Sequence, residues 1–501
     1  MSSFDGSSAA AAAVAPAPAS SGGTKVRRHL KSRHLSMIAI GGSIGTGLFM
    51  ASGSAIHMAG PGGALVAYAA IGLMVYFLMT SLGEMATYLP VSGSFSTYAA
   101  KFVDPSLGYA LGWNYWFNWV ITVAADISIA ALVITYWEPM RFMPPWGWSL
   151  LFFGLIVLLN LLSVKAFGES EYWFALIKVI TVIVFLGVGV ITIFGLLGGK
   201  YVGLANFTVG EAPFLGGGFS GSFLTMLGVF LIAGFSFQGT ELIGITAGEA
   251  DDPRRTIPKA IDQVVGRILI FYVGTVAVIV ALFPWDRLGS AGSPLVTIFS
   301  GLGIAGAAHI LNVVVLTAAV SAYNSGLYSN GRMLHALARQ GNAPAPLART
   351  NRFGSPWLGI LVSSAVTAVA VLLTYLFPDT VFLYVMSVTT IAAVINWTMI
   401  VITDMRFRAR LRSRGEAPAG FAMPGFPWTS ALVLAFLAML VVLMAFIPSY
   451  RVALVVGPVW LVVLLVARAA DSWLAAWSDA EAISPYPVDP IRLPQTVADV
   501  V

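Results

Sequence analysis

Few side chains in this 501-residue chain have the chemistry to do more than pack. There are no cysteines, which excludes disulfides, thiolate metal sites and cysteine nucleophiles. The five histidines (His29, His34, His57, His309 and His335) show no metal-ligand spacing. What remains is charge in apolar surroundings. Asp126, Lys178 and Glu241 fall inside long apolar runs, and Glu84 lies nearer the end of one. A charge at the centre of a membrane helix costs about 2.5–3.5 kcal/mol on insertion scales, so each needs a partner or a task. The tasks open to them are proton binding and pairing with a charged cargo.

Asp126 continues a polar stripe with Asn114, Asn118 and Thr122, spaced four apart and so on one slowly drifting helix face. A second stripe runs through Thr317, Ser321, Asn324, Ser325 and Tyr328. It serves either interhelical hydrogen bonds or a cargo. Lys178 sits about six residues inside its segment. It either snorkels to the nearer interface or stays buried for a purpose.

Two other stretches matter because they weaken the helices that carry them. IGGSIGTGLF, Ile40 to Phe49, packs four glycines into seven residues of an apolar run. AGFSFQGTELIG, Ala233 to Gly244, interrupts another. Glycine brings backbone entropy and no packing. Unwinding at mid-membrane is tolerated only where the freed N–H and C=O groups line a cavity or bind something. A half-helix starting near Gly45 offers free N–H groups and a positive dipole end to a carboxylate. Freed carbonyls near Phe235 and Gln238 suit an ammonium. One break for each charge of a zwitterion points to an amino acid. Close helix packing on small residues is the alternative. A phosphate loop is not, because GGSIGTG lacks the GxGxxG order and no strand precedes it.

The composition sets the frame for these residues: 58% hydrophobic, 10% charged, mean hydropathy +0.86. Soluble domains average about 25% charged. Twelve apolar segments approach the ~20 residues a spanning helix needs. The chain reads as an all-α polytopic membrane protein. Its net charge of +5 is distributed, not pooled for nucleic acid. With the N-terminus inside, only Arg141, Lys200, Arg287 and Arg451 fall in outer loops, and cytoplasmic segments take nearly all the other Lys and Arg. That bias places both termini in the cytoplasm. Residues 1–24 form a Ser/Ala/Pro/Gly tail and not a signal peptide, since the basic cluster follows the tail and the first apolar run is of full span length. The two broken segments are the first and the sixth. Five is odd, so a second five-span unit must lie inverted relative to the first.

At these residues the sequence resembles the amino acid permeases of the APC superfamily, in their bacterial amino acid transporter branch. The likeness is carried by IGGSIGTGLF, AGPGG…LGEMATYLP, FGESEYWFALIK and GTELIG…AGEADDP. It implies twelve transmembrane helices in a LeuT-like 5+5 inverted repeat with discontinuous helices 1 and 6. On this plan the transport core is 25–405, with repeats at about 36–198 and 221–405. Residues 406–475 add a cytoplasmic loop and two helices, and 476–501 a cytoplasmic tail.

The resemblance further implies import of an amino acid by proton symport across a bacterial inner membrane. No cofactor is expected beyond the proton gradient, and the partners are amino acid, protons and lipid. Gly45, Thr46 and Gly47 would hold the α-carboxylate, and carbonyls of Ser43, Phe235 and Gln238 the α-ammonium. Phe235 would also gate the site. Asn114, Asp126, Glu241 and Ser321 complete the substrate set, Lys178 and Glu241 would couple the proton, and Glu249 would act at the inner end. PVSGSFSTYAAKFVDPSLGYALGWNYWFNW looks most like the lysine-carrying members of the branch. YNSGLYSNGRMLHALARQGNAPAPLA resembles aromatic and neutral carriers as well. An intramembrane enzyme would need a nucleophile–base pair or metal cluster that the segments lack. A channel or an ATP-driven pump fits less well still.

Overall fold

The computed structural model of the chain describes residues 37, 44–91, 93–162, 164–196, 201–209, 219–249, 252–288, 293–301, 306–376, 378–416 and 421–478. The expected N-terminal tail, residues 479–501 of the expected C-terminal tail, Ser43 and most of the first segment before Ile44 lie outside the described residues. Every regular element among them is helical. A π-type turn, Gly47–Ala51, leads into α1 (Ser52–Tyr88). Short α2 (Ser94–Phe102) precedes α3 (Pro105–Ile134), α4 (Pro145–Leu162) and α5 (Val164–Ile193). Then come α6 (Phe219–Ser236), α7 (Leu242–Thr246), α8 (Pro253–Leu282), α9 (Pro294–Gly301) and α10 (Ala307–Arg339). The last four are α11 (Trp357–Leu376), α12 (Pro378–Ser413), α13 (Trp428–Phe446) and α14 (Arg451–Ser478).

Among the described residues, eight helices are long and apolar enough to cross a membrane, and three shorter apolar helices accompany them. The first of the eight, Gly47–Tyr88, has 42 residues. At 1.5 Å per residue that is about 63 Å, twice an apolar bilayer core. It is two arms, not one rod. Gly60 adopts φ 70°, ψ 177°, and Pro61 supplies no N–H, so the chain turns there without a loop.

Which helices are central follows from their burial. The apolar windows of α3 and α10 are 78% and 72% inside the protein, against 17% for the window in α14. α10 runs along α3, α1 packs on α8 and α6, and α12 packs on α3 and α1. The lipid-facing helices therefore wrap an inner set carrying the polar stripes. α3 begins where it does because Asp104, in extended backbone, accepts the Ser106 N–H at 2.8 Å, with Pro105 in the first turn.

At one end of the bundle, Arg410 Nη1 donates to the Lys101 carbonyl at 2.8 Å, binding α12 to α2. Burial, then the charges of Arg410 and Arg414, push the Lys101 ammonium down to about 8. Its ordinary value is about 10.4, so below pH 8 the folded state carries the full cost of that charge. Between about pH 8 and 10 the folded lysine loses its proton first, and stability rises with pH. Thermal unfolding in detergent at about pH 7 and pH 9.5 is expected to show that rise in the native chain and a smaller one in Lys101→Met. Equal rises would discount the repulsion.

Candidate substrate site

The sixth segment breaks where its sequence weakens. α6 ends at Ser236, residues 237–241 turn, and α7 starts at Leu242. Gly239 sits at φ 97°, a conformation that side chains with a Cβ rarely adopt. The break satisfies much of its own backbone. The Phe237 N–H donates to the Gly234 carbonyl and the Gln238 N–H to the Phe235 carbonyl, both at 3.2 Å. Tyr272 on α8 donates its hydroxyl to the Ser236 carbonyl at 2.8 Å. The Phe235 carbonyl is thus not left free as the sequence suggests, because the helix tightens into an i→i+3 turn at its end.

The first segment supplies the facing wall. Ile44 and Gly45 bend, and the π-type turn begins at Gly47. A Cβ on Gly47 would lie 2.4 Å from Ser236 Cα, so glycine is required for the two breaks to touch. A Cβ on Gly45 would meet only Ala322 Cβ, at 3.7 Å.

Between these breaks lies a cavity of about 20 Å³, room for roughly one water molecule. Gly45, Thr46 and Gly47 line it with Trp119, Thr122 and Asp126 of α3, Phe235, Ser236 and Gln238 at the α6 break, and Ala322 of α10. Asp126 is buried, and its Oδ1 accepts from Thr46 Oγ1 at 2.8 Å. Among the described residues, Asp126 Oδ2 and Gln238 Nε2 in this wall have no hydrogen-bond partner. An acceptor and a donor are left to spend, one for each charge of a zwitterion.

A second cavity, of about 1040 Å³, shares Thr46 and Phe235 with the first. It is lined mainly by apolar side chains of α1, α3, α4, α6 and α11. Its rim includes Pro145, Trp146, Tyr375 and Ser449, at the face carrying the turns Glu138–Phe142 and Pro448–Tyr450. The Phe235 side chain therefore stands between a wide vestibule and the small polar cavity.

Of the residues the sequence singles out, Gly45, Thr46, Gly47, Asp126, Phe235 and Gln238 come together here. Asn114, Glu241 and Ser321 do not line the cavity. Asn114 faces α12, donating to the Ala392 carbonyl at 2.9 Å and to Asn396 Oδ1 at 3.0 Å. Asn118 instead bridges toward Gln238 Oε1, at 3.5 Å. Glu241 turns back on its own break, accepting the Gly239 N–H at 3.2 Å, and Trp397 Nε1 at 3.4 Å. Glu249 ends the short 3-10 turn that follows α7.

Ser321 belongs to a different cluster. Lys178 Nζ donates to Ser321 Oγ at 2.8 Å, and Ser321 donates on to Glu171 Oε1 at 2.6 Å. Glu171 Oε1 lies 4.0 Å from Lys178 Nζ. Asn324 Nδ2 donates to Glu171 Oε2 at 3.2 Å, and Asn160 Nδ2 to Asn324 Oδ1 at 2.9 Å. Lys178 does not snorkel: it is wholly buried and tied to α10. The second polar stripe thus serves interhelical bonds at Ser321 and Asn324. Tyr328, lower on it, stacks on Phe167 at 3.6 Å between ring centroids.

The sequence reading missed two fully buried acids, Glu171 and Asp404. Glu171 had a signal, since it precedes Lys178 by seven residues and so shares its helix face. Asp404 lies in an arginine-rich stretch that reads as a solvated end.

Two outcomes follow. Gly45→Ala is expected to keep thermal stability near native yet lose substrate uptake, whereas Gly47→Ala loses both. Equal behaviour of the two variants would deny the cavity. Glu171→Ala is expected to cost about 3–5 kcal/mol by removing the carboxylate beside a buried ammonium, with much of it recovered in Glu171→Ala/Lys178→Met. A double variant no more stable than the single, in detergent unfolding, would refute the pairing.

Comparison with known proteins places this geometry. Residues 34–471 match the family model described as amino acid permease. The lysine-specific permease LysP of Escherichia coli (strain K12) is 49% identical over 414 residues, 81% of this chain and 82% of that protein. The histidine permease HisP of Lactococcus lactis subsp. cremoris (strain MG1363) is 46% identical over 400 residues, 78% of this chain and 82% of that one. The aromatic amino acid transport protein AroP of Escherichia coli (strain K12) is 43% identical over 442 residues, covering 88% and 95%. With this match over most of its length and an all-helical set of described elements, the chain belongs to the amino acid permease family.

Proposed function

We propose that this permease imports L-lysine with a proton by alternating access, across a bacterial cytoplasmic membrane with both termini inside. The observation that carries the cargo assignment is the free Oδ2 of Asp126. A buried carboxylate, held by one hydroxyl and open on its other oxygen, suits a cationic side chain. The α-carboxylate goes to the N–H groups at Gly45, Thr46 and Gly47, where a helix start offers unpaired donors and a positive dipole end. The free amide of Gln238 lies in the same wall. Main-chain carbonyls at the breaks take the α-ammonium. The 49% identity to the lysine-specific permease LysP of Escherichia coli supports the choice.

The two arms of Gly47–Tyr88, with the remaining long and short apolar helices, supply twelve crossings. Breaks in the first and sixth of these support the LeuT-like inverted repeat. Phe235 is the gate, since it closes the small cavity against the vestibule and must swing for cargo to enter. A cavity with room for about one water must also expand, so the conformation described here is closed around its site. Lys178, within the electrostatic reach of both Glu171 and Asp126, and Glu241, bound at the break, are the groups that couple the proton. The gradient takes the place of a cofactor.

An aromatic cargo is the second reading, favoured by Trp119 and Phe235 in the cavity wall and by the apolar vestibule.

Uptake of radiolabelled lysine into proteoliposomes, with an inward proton gradient and no sodium, separates these readings. Accumulation is expected, blocked by unlabelled lysine and abolished by a protonophore. Asp126→Asn is expected to lower lysine uptake by about 10–100-fold, the worth of one charge-assisted hydrogen bond. Entry of phenylalanine without lysine would overturn the cargo, and a requirement for sodium would overturn the role of Lys178.

A further inference from the structure

A second buried charge cluster closes the end of the bundle away from the vestibule. Glu84 lies about 36 Å along the second arm of α1 from Gly60, the thickness of the apolar core and a little more. Its Oε2 accepts from Arg408 Nε at 3.1 Å, in close contact from Arg408 Nη2, and from the Met423 N–H at 2.9 Å. The guanidinium also lies 4.3 Å from the Phe426 ring, with Arg412 on that ring at 5.4 Å. Ser81 and Ser430 donate to the Met423 sulfur at 3.0 and 3.3 Å, completing a seam between α1, α12, α13 and residues 421–427.

Asp404, one turn before Arg408 on α12, is 0% exposed. Among the described residues its one ion-pair partner is Arg408, whose Nε is 3.8 Å away, and neither carboxylate oxygen has a hydrogen-bond partner. The charges acting on it are those of Glu84 and Arg408, with the Ser81 hydroxyl beside it. Glu84 has already taken the guanidinium and a backbone N–H. Two carboxylates therefore share one cation, and if both were ionised the seam would bury a net negative charge that nothing solvates.

We propose that Asp404 is a proton-binding site: its carboxyl carries a proton while the α1–α12 seam is closed and releases it to water at that face when the seam opens. Closing the seam reverses the step, taking one proton from that aqueous phase onto Asp404 Oδ. Substrate release at that face would then be linked to a proton leaving it, a link that rests on the proton-coupled reading above. Glu84 is a positioning residue here, because by holding Arg408 it keeps the cation from neutralising Asp404.

The protonation can be read without transport. Infrared difference spectra of the full chain in lipid, exchanged between H₂O and D₂O, report the C=O stretch of a buried protonated carboxyl. One such band is expected to be lost in Asp404→Asn. It is also expected to be lost in Glu84→Gln, where Arg408 is released to pair with an ionised Asp404, and kept in Asp126→Asn. A spectrum unchanged by Asp404→Asn, or a band surviving in Glu84→Gln, overturns the proposal. In proteoliposomes, the native rate of lysine exchange is expected to depend on the pH of the phase at that face, and Asp404→Asn to exchange lysine without that dependence. A dependence retained in Asp404→Asn would overturn the proposal. A native protein indifferent to the gradient would instead sink the proton-coupled reading, leaving the infrared result to decide the site.

Discussion

In the hydrocarbon core of a bilayer, an unpaired backbone N–H or C=O costs several kcal/mol, and this molecule is arranged around the two places where it departs from helix. At the α6 break the cost is met locally, by i→i+3 turns, by the Tyr272 hydroxyl on the Ser236 carbonyl and by Glu241 on the Gly239 N–H. At the start of the first helix, Gly45, Thr46 and Gly47 line a cavity, and side chains around it keep polar atoms with no partner among the described residues. Contact between the breaks depends in turn on Gly47, whose missing Cβ lets Ser236 approach.

Buried charge is the second constraint, and the protein answers it in three ways. Lys178 and Glu171 are joined through Ser321 and braced by Asn324 and Asn160, so a pair inside the bundle has its hydrogen bonds made. A network bonded from side to side in this way rigidifies the α4–α5–α10 side. Asp126 is satisfied on one oxygen only, beside the cavity. Glu84 takes Arg408 on one oxygen, and Asp404 has no hydrogen bond among the described residues. Completeness of pairing thus separates groups that hold the scaffold from groups free to exchange a proton or meet a cargo. Relatives named for lysine, histidine and aromatic amino acids are 43–49% identical to this chain.

The sequence by itself determined the features that depend on neighbours along the chain. Apolar length pointed to a membrane bundle, and the glycine of AGFSFQGTELIG located the break after α6 to within a few residues, because helix weakness is a local property. It also picked out Gly45, Thr46, Gly47, Asp126, Phe235 and Gln238, the core of the cavity. What only the tertiary structure decided were pairings across large separations. Thr46 and Asp126 are 80 residues apart, Ser321 and Glu171 150, Arg408 and Glu84 324. Stripe membership could not tell that Asn114 turns to α12 or that Ser321 serves Lys178. A helix face is wide enough to meet two neighbours, and which neighbour a residue meets is set by how the helices rotate and pack. Asp404 was hidden for the same reason, since arginines spaced along a helix end look solvated until another helix closes over one face of them.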